Sequence, residues 1–141
     1  MAGHRARRAT LTCRNDSVMI HFDTNFIVQL AITASPANAK FRAWVSAGEI
    51  CNISTVVWAE FLCGPLNVTD ESFARQIFPT PEPLLGVDAK LAAKLFNQSG
   101  RRSRSLADCM IAAVAIRCGA KPATINTSDF QPFVQSGLML C

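Results

Sequence analysis

Three of the ten acidic residues stand where folding alone gives an acid little reason to be, and a fourth, Asp129, joins them only by its place after the third expected strand. Asp23 ends the short apolar run at residues 18–22, and Glu60 interrupts the apolar stretch Val56-Val57-Trp58-Ala59-Glu60-Phe61-Leu62. Asp108 lies between Leu106-Ala107 and Cys109-Met110-Ile111, and Asp129 comes four residues after the apolar run at 123–125. An acid among apolar neighbours destabilises a fold unless it is protonated, paired or bound to a cation. Carboxylates gathered together repel one another and rise in pKa. A divalent cation reverses that penalty, and Mg²⁺ in particular takes a few carboxylates together with waters and phosphate oxygens. Singly, each acid has an ordinary explanation. Ser105-x-x-Asp108 is a capping pattern, Asp23-Thr24-Asn25 is compatible with an Asx-type turn or helix cap, Glu60 can face solvent, and Asp129 can be a loop acid. Their joint placement is what points to a metal.

The elements that must position them follow from the pattern of apolar residues. Residues 18–22 read as a buried strand entering a loop. Residues 25–33 have helical spacing. Pro36 suits the first turn of a second helix that Gly48 stops. A second strand is expected over 49–53, and Ser54 should cap a helix over Thr55–Cys63 that Gly64-Pro65 ends. Thr69 is the expected cap of a helix over 70–78, and Asp88 the opening residue of one that ends at Gly100. Arg101 to Arg104 form a basic loop before Ser105, the expected cap of a strongly apolar helix over Leu106–Cys118. A third strand is expected over 123–125, a loop or single helical turn over 129–134, and a last short strand over 138–140. Strands alternating with helices imply an α/β fold, a three-layer α/β/α sandwich around a short, mainly parallel sheet. Right-handed crossovers bring the loops after each strand to one sheet edge, where ligands of open α/β sheets bind.

Composition narrows the field. The 141 residues, half hydrophobic and 17% charged, suit one compact domain and argue against disorder. The net charge of +4 is misleading as a nucleic-acid signal. Residues 1–17 hold four arginines against one aspartate, so most of the excess sits in this leader and the body is nearly neutral. Residues 1–17 are expected to be a basic leader, disordered or foreign to the fold, ahead of a domain at 18–141. No stretch approaches the ~20 apolar residues of a membrane span. Six cysteines without a C-x-x-C pair read as reduced thiols acting as small core hydrophobes, which with no secretory signal implies a cytoplasmic protein.

Phe22-Asp23-Thr24-Asn25, then Ser54…Glu60-Phe61…Gly64, then Arg104-Ser105-Leu106-Ala107-Asp108-Cys109-Met110-Ile111-Ala112-Ala113-Val114-Ala115, then Thr124-Ile125-Asn126-Thr127-Ser128-Asp129-Phe130 occur in this order. Together they resemble the PIN-domain family, and within it the VapC-type toxins of type II toxin–antitoxin modules. The resemblance covers about 18 to 140. It implies that Asp23, Glu60 and Asp108 are the main metal-binding and catalytic acids and that Asp129 is the fourth. Thr24, Asn25, Thr124 and Asn126 would orient them. It also implies Mg²⁺ (or Mn²⁺) as cofactor, RNA (tRNA or rRNA) as substrate, a cognate antitoxin as partner, and a homodimer or a higher toxin–antitoxin oligomer.

On that resemblance, a metal held by Asp23 and Asp108 would polarise a phosphodiester and lower the pKa of a bound water. No histidine falls in the motifs, so water is the expected nucleophile, giving a 5′-phosphate and a 3′-OH. Arg102 and Arg104 are candidates to grip RNA phosphates, with Arg104 equally able to pair with a carboxylate of the resting site, while Arg101 reads as a solvated loop residue. Trp44 and Trp58, at helical spacing with other apolar residues, read as packing. Lys90 and Lys94 read as a solvated helix face. A housekeeping RNA-processing nuclease is the alternative. A Mg²⁺-binding signalling module of the receiver type is weaker, because Lys121-Pro122 is expected to precede the third strand and paired acids after the first strand are absent.

Overall fold

The computed structural model describes residues 18–32, 34–99, 106–124 and 130–139. Among the described residues three parallel strands, β1 (Met19–Phe22), β2 (Ile50–Asn52) and β3 (Lys121–Ala123), form a sheet in the order β2-β1-β3. Met19 pairs with Ile50 on one side, and Ile20 pairs with Lys121 on the other. Six helices among the described residues connect and cover it: α1 (Thr24–Leu30), α2 (Pro36–Ser46), α3 (Thr55–Cys63), α4 (Val68–Ile77), α5 (Gly86–Gln98) and α6 (Leu106–Cys118). A 3-10 turn, Gln131–Ser136, follows β3. The expected three-layer α/β/α arrangement is what forms.

Strand alternation assigns the two faces of β1. Phe22, fully buried, meets the rings of Phe26, Phe41, Trp44 and Phe78 at 4.7 to 5.8 Å on the face covered by α1 and α2. The two tryptophans therefore pack as expected, with Trp58 against Phe61. His21 points to the other face, toward the layer formed by α5 and α6. Both of these helices bury small and branched residues, with Ala112, Ala113, Val114 and Ala115 completely enclosed.

Several boundaries differ from expectation for physical reasons. Helix α4 is capped by Asn67, whose side chain accepts the Asp70 N–H at 2.8 Å; Thr69 falls inside the helix. Helix α5 begins earlier than Asp88, at Gly86, because Asp88 acts from the third helical position and reaches back to the Leu85 N–H at 2.8 Å. Strand β3 starts at Lys121, so Lys121-Pro122 lies within the strand. Pro122 is tolerated because β3 pairs only with β1 among the described residues. Leu138 and Met139 form no strand; Leu138 is buried and donates its N–H to the Phe133 carbonyl at 3.2 Å. Of the described cysteines, Cys109 is buried, Cys51 and Cys118 are partly so, and Cys63 is exposed and fills no core position.

Candidate active site

All three strands deliver the chain to one edge. Asp23 follows β1, Ser54 follows β2 and Thr124 follows β3, and the Asp23 N–H donates to the Ala123 carbonyl at 3.0 Å, tying two of these ends together. Asp23 is 7% exposed, and its Oδ1 accepts the Phe26 N–H at 2.8 Å, so the residue is the N-cap of α1. The helix-cap explanation thus holds, and it fixes the carboxylate at the carboxyl edge of the central strand. Thr24, the next residue, donates its hydroxyl to Glu60 Oε1 at 2.9 Å across 36 residues of sequence. Helices α1 and α3 pack together, which is what makes this contact possible.

Glu60 is exposed, so the argument that it is a costly acid in an apolar helix does not apply to it. Helix α3 turns Val57 and Phe61 into the core and leaves Glu60 at the border beside Thr24. Asn25 is exposed and Thr124 is 8% exposed. Asp108 is half-buried in the first turn of α6. Gly119, with φ +63°, reverses the chain between α6 and β3, so that the first turn of α6 lies toward the end at which β3 delivers Thr124. Asp129, Asn126, Arg102 and Arg104 lie outside the described residues. Among the described residues no three Asp, Glu, His or Cys side chains are gathered closely enough to hold a metal ion. The donor chemistry of Asp23, Glu60 and Asp108 is all carboxylate oxygen, which fits a hard divalent cation and not a soft one.

At the other end of α6 from Asp108 lies a charged node that sequence reasoning missed. Arg117, in the last turn of α6, donates from Nε to both Asp88 oxygens at 2.9 and 3.0 Å and from a terminal nitrogen to Glu82 at 2.8 Å. Asp88 is 1% exposed. Hydrogen bonds to Asp88 and Glu82 hold the Arg117 guanidinium more firmly protonated than usual. The Glu82 backbone pairs with the chain just past β2, through Glu82 N–H to Ile53 O and Thr55 N–H to Glu82 O, both 2.8 Å. His21, 3% exposed, has neither ring nitrogen hydrogen-bonded among the described residues, and burial lowers its pKa to about 4 despite the nearby Glu82 carboxylate. It is sealed and neutral, unsuited to proton transfer at the edge. The one readable signal for the node was an arginine inside an otherwise apolar helix.

The sequence profile of the PIN domain matches residues 20–133. The chain belongs to the PIN-domain family. Its fold resembles VapBC2 from Rickettsia felis, solved bound to a DNA fragment from its promoter. The TM-score there is 0.68 with 16% identity, covering 88% of this chain and 98% of that one. It also resembles a toxin–antitoxin complex from Klebsiella pneumoniae (TM-score 0.64, 25% identity, covering 82% and 91%). A third similar structure is VapC20 of Mycobacterium tuberculosis, described as a toxin that cleaves the sarcin–ricin loop (TM-score 0.64, 18% identity, covering 86% and 98%). By sequence, no curated protein matches. This PIN domain therefore shares the fold of VapC toxins, with Asp23 at the end of its first strand. Among its described residues no helix is long and apolar enough to cross a membrane.

Proposed function

We propose that this PIN domain is a metal-dependent endoribonuclease toxin, neutralised by a protein antitoxin. The observation that carries the reading is the meeting of Glu60 with the residue beside Asp23 at the carboxyl edge of the central strand, within a chain that matches the PIN profile. Asp23, Glu60 and Asp108 would hold Mg²⁺ or Mn²⁺, with Asp129 as the fourth acid. When bound, the metal supplies Lewis-acid polarisation of the phosphodiester and a more acidic water. Asp23 is held in place by the Phe26 N–H, so its carboxylate is oriented before any ligand arrives. The Thr24 hydroxyl restrains Glu60, leaving that carboxylate positioned to orient a water. With His21 buried and neutral, water is the nucleophile, and the products carry a 5′-phosphate and a 3′-OH.

An antitoxin partner is supported by an apolar surface. A mainly apolar cavity of about 140 Å³ is lined by Val28, Ala31, Phe61, Gly64, Pro65 and Leu66, with Asp70 as its one described charged residue. Val28 on α1, Ile32 just past its end and Phe73 on α4 are exposed. Exposed apolar patches of this kind mark protein interfaces, and a small protein with an apolar helix fits it.

The test is to map 5′ ends in total RNA after expressing the wild type, Asp23→Asn and Asp108→Asn, each checked for folding by circular dichroism. The expected result is discrete cleavage that needs a divalent cation and is lost in both variants. Cleavage persisting in either folded variant would overturn the site assignment. A 2′,3′-cyclic phosphate would overturn the water mechanism.

A further inference from the structure

Helices α5 and α6 run antiparallel, because Asp88 in the first turn of one bonds Arg117 in the last turn of the other. Gln98 lies ten residues on from Asp88, and Asp108 nine before Arg117. At 1.5 Å per residue both are roughly 14 Å from the Arg117 node, so the last turn of α5 is level with Asp108. From that level a cleft runs back along α5. Its α5 wall is the stripe Leu91, Lys94 and Gln98, spaced i, i+3 and i+7, and its opposite wall is Gln135 and Ser136 of the 3-10 turn. Two adjoining cavities of about 240 and 470 Å³ share Gln98, Gln135 and Ser136, and buried Leu95 and Phe133 form part of the floor.

The chemistry of this cleft is specific. Among the described residues no acidic side chain lines it, and those that do offer two carboxamides, hydroxyls and one ammonium. Gln98, Gln135 and Lys94 are exposed, and their side chains make no hydrogen bond or ion pair among the described residues. Carboxamides present a donor and an acceptor together, the pattern that matches base edges, while an ammonium matches a phosphate. Single-stranded RNA displays both, with its bases open to side chains. A peptide partner is less well matched, since among the described residues the cleft offers neither a broad apolar wall nor a row of charges.

Resting on the ribonuclease reading, we infer that the cleft between α5 and the C-terminal 3-10 turn is a substrate subsite. It holds single-stranded nucleotides flanking the scissile bond, Gln98 and Gln135 contacting bases and Lys94 a phosphate. These residues set which RNA is cut, while the carboxylate edge cuts it.

The test measures anisotropy of a fluorescein-labelled, unstructured RNA 20-mer with the full chain in EDTA, so that binding is read without cleavage. Cleavage kinetics of the same RNA in Mg²⁺ are followed in parallel. The double variant Gln98→Ala/Gln135→Ala should bind about tenfold more weakly and raise KM more than it lowers kcat. Lys94→Gln should reduce the slope of log affinity against log salt by about 0.7, the loss of one phosphate contact on a single strand. Gln76→Ala, an exposed glutamine on α4, serves as the control and should change neither. If the wild type binds and cleaves while the cleft variants stay within twofold and keep their salt slope, the subsite is refuted and the nuclease reading stands. If the cleft variants keep RNA affinity but bind a protein antitoxin more weakly, the cleft belongs to that partner and the inference fails. A wild type that neither binds nor cleaves RNA overturns both.

Discussion

Replacing Arg117 with methionine should be among the most destabilising single changes on the surface of α6. The side chain is 27% exposed, so the loss of packing is small, but its partner Asp88 is 1% exposed. Methionine would leave a buried carboxylate with the Leu85 N–H and no opposite charge. Breaking a buried pair by removing one member costs about 3–5 kcal/mol. The Glu82 arm adds little, because that carboxylate is 31% exposed and such pairs contribute about 0–1 kcal/mol. Against a typical domain stability of about 5–15 kcal/mol, the variant should lose a large fraction of its margin. Urea denaturation reads this as a lower midpoint at unchanged m-value. Asp88→Asn keeps an acceptor for Leu85 but carries no charge, so Arg117→Met/Asp88→Asn should recover about 2 kcal/mol relative to Arg117→Met alone. A cost below about 1 kcal/mol for Arg117→Met, or no recovery in the double variant, would show that the buried charge at Asp88 is not what the arginine serves.

Three further outcomes follow from the geometry. His21 has a folded pKa of about 4 against 6.5 when free. Between those values the unfolded chain takes up a proton that the folded chain refuses, so the stability its burial provides is whole above pH 6.5 and drains away as pH falls toward 4. The loss totals roughly 3 kcal/mol. His21→Leu should flatten this part of the urea-midpoint profile relative to wild type, and parallel profiles would contradict it. Asp23→Ala should cost about 1 kcal/mol more than Asp23→Asn by thermal melt, because asparagine still caps α1; equal melts would mean that the cap is dispensable. Val28→Lys places a charge in the apolar cavity beside Phe61 and Leu66 and should weaken antitoxin binding by at least tenfold in a titration without lowering RNA cleavage by the isolated chain.

Much of the fold was legible because local signals agreed. Ser54 caps Thr55–Cys63 as its type and position required, and Leu106–Cys118 ran to the length of its apolar stretch. Errors came where two local solutions competed or where the deciding contact was distant. Asn67 and Thr69 are both capping residues, and only the structure chooses Asn67. Leu85 has no capping side chain, so the start of α5 was hidden until Asp88 was seen bonding back to it. Strand β3 is set by its pairing with Ile20, which no window around Lys121 contains. The placement of the candidate site residue Asp23 was legible, because strand end and cap coincide there. At Glu60 the sequence argument rested on burial that the structure does not give, and its placement beside Thr24 is a tertiary fact. Arg117 was invisible as a partner because Asp88 and Glu82 lie 29 and 35 residues away.

The antiparallel α5–α6 pair separates two tasks along its length. One end, at Asp88 and Arg117, holds the helices together; the other carries Asp108 and the mouth of the amide-lined cleft. Changes at the two ends should therefore be inherited as different kinds of defect. In a genetic screen for colonies that survive expression of the active chain, lesions near Arg117 should be temperature-sensitive and lower the amount of protein. Lesions near Asp108 should leave abundant, heat-stable, silent protein that still titrates the antitoxin. A chain of the second kind would act as a dominant decoy, freeing active copies in the same cell.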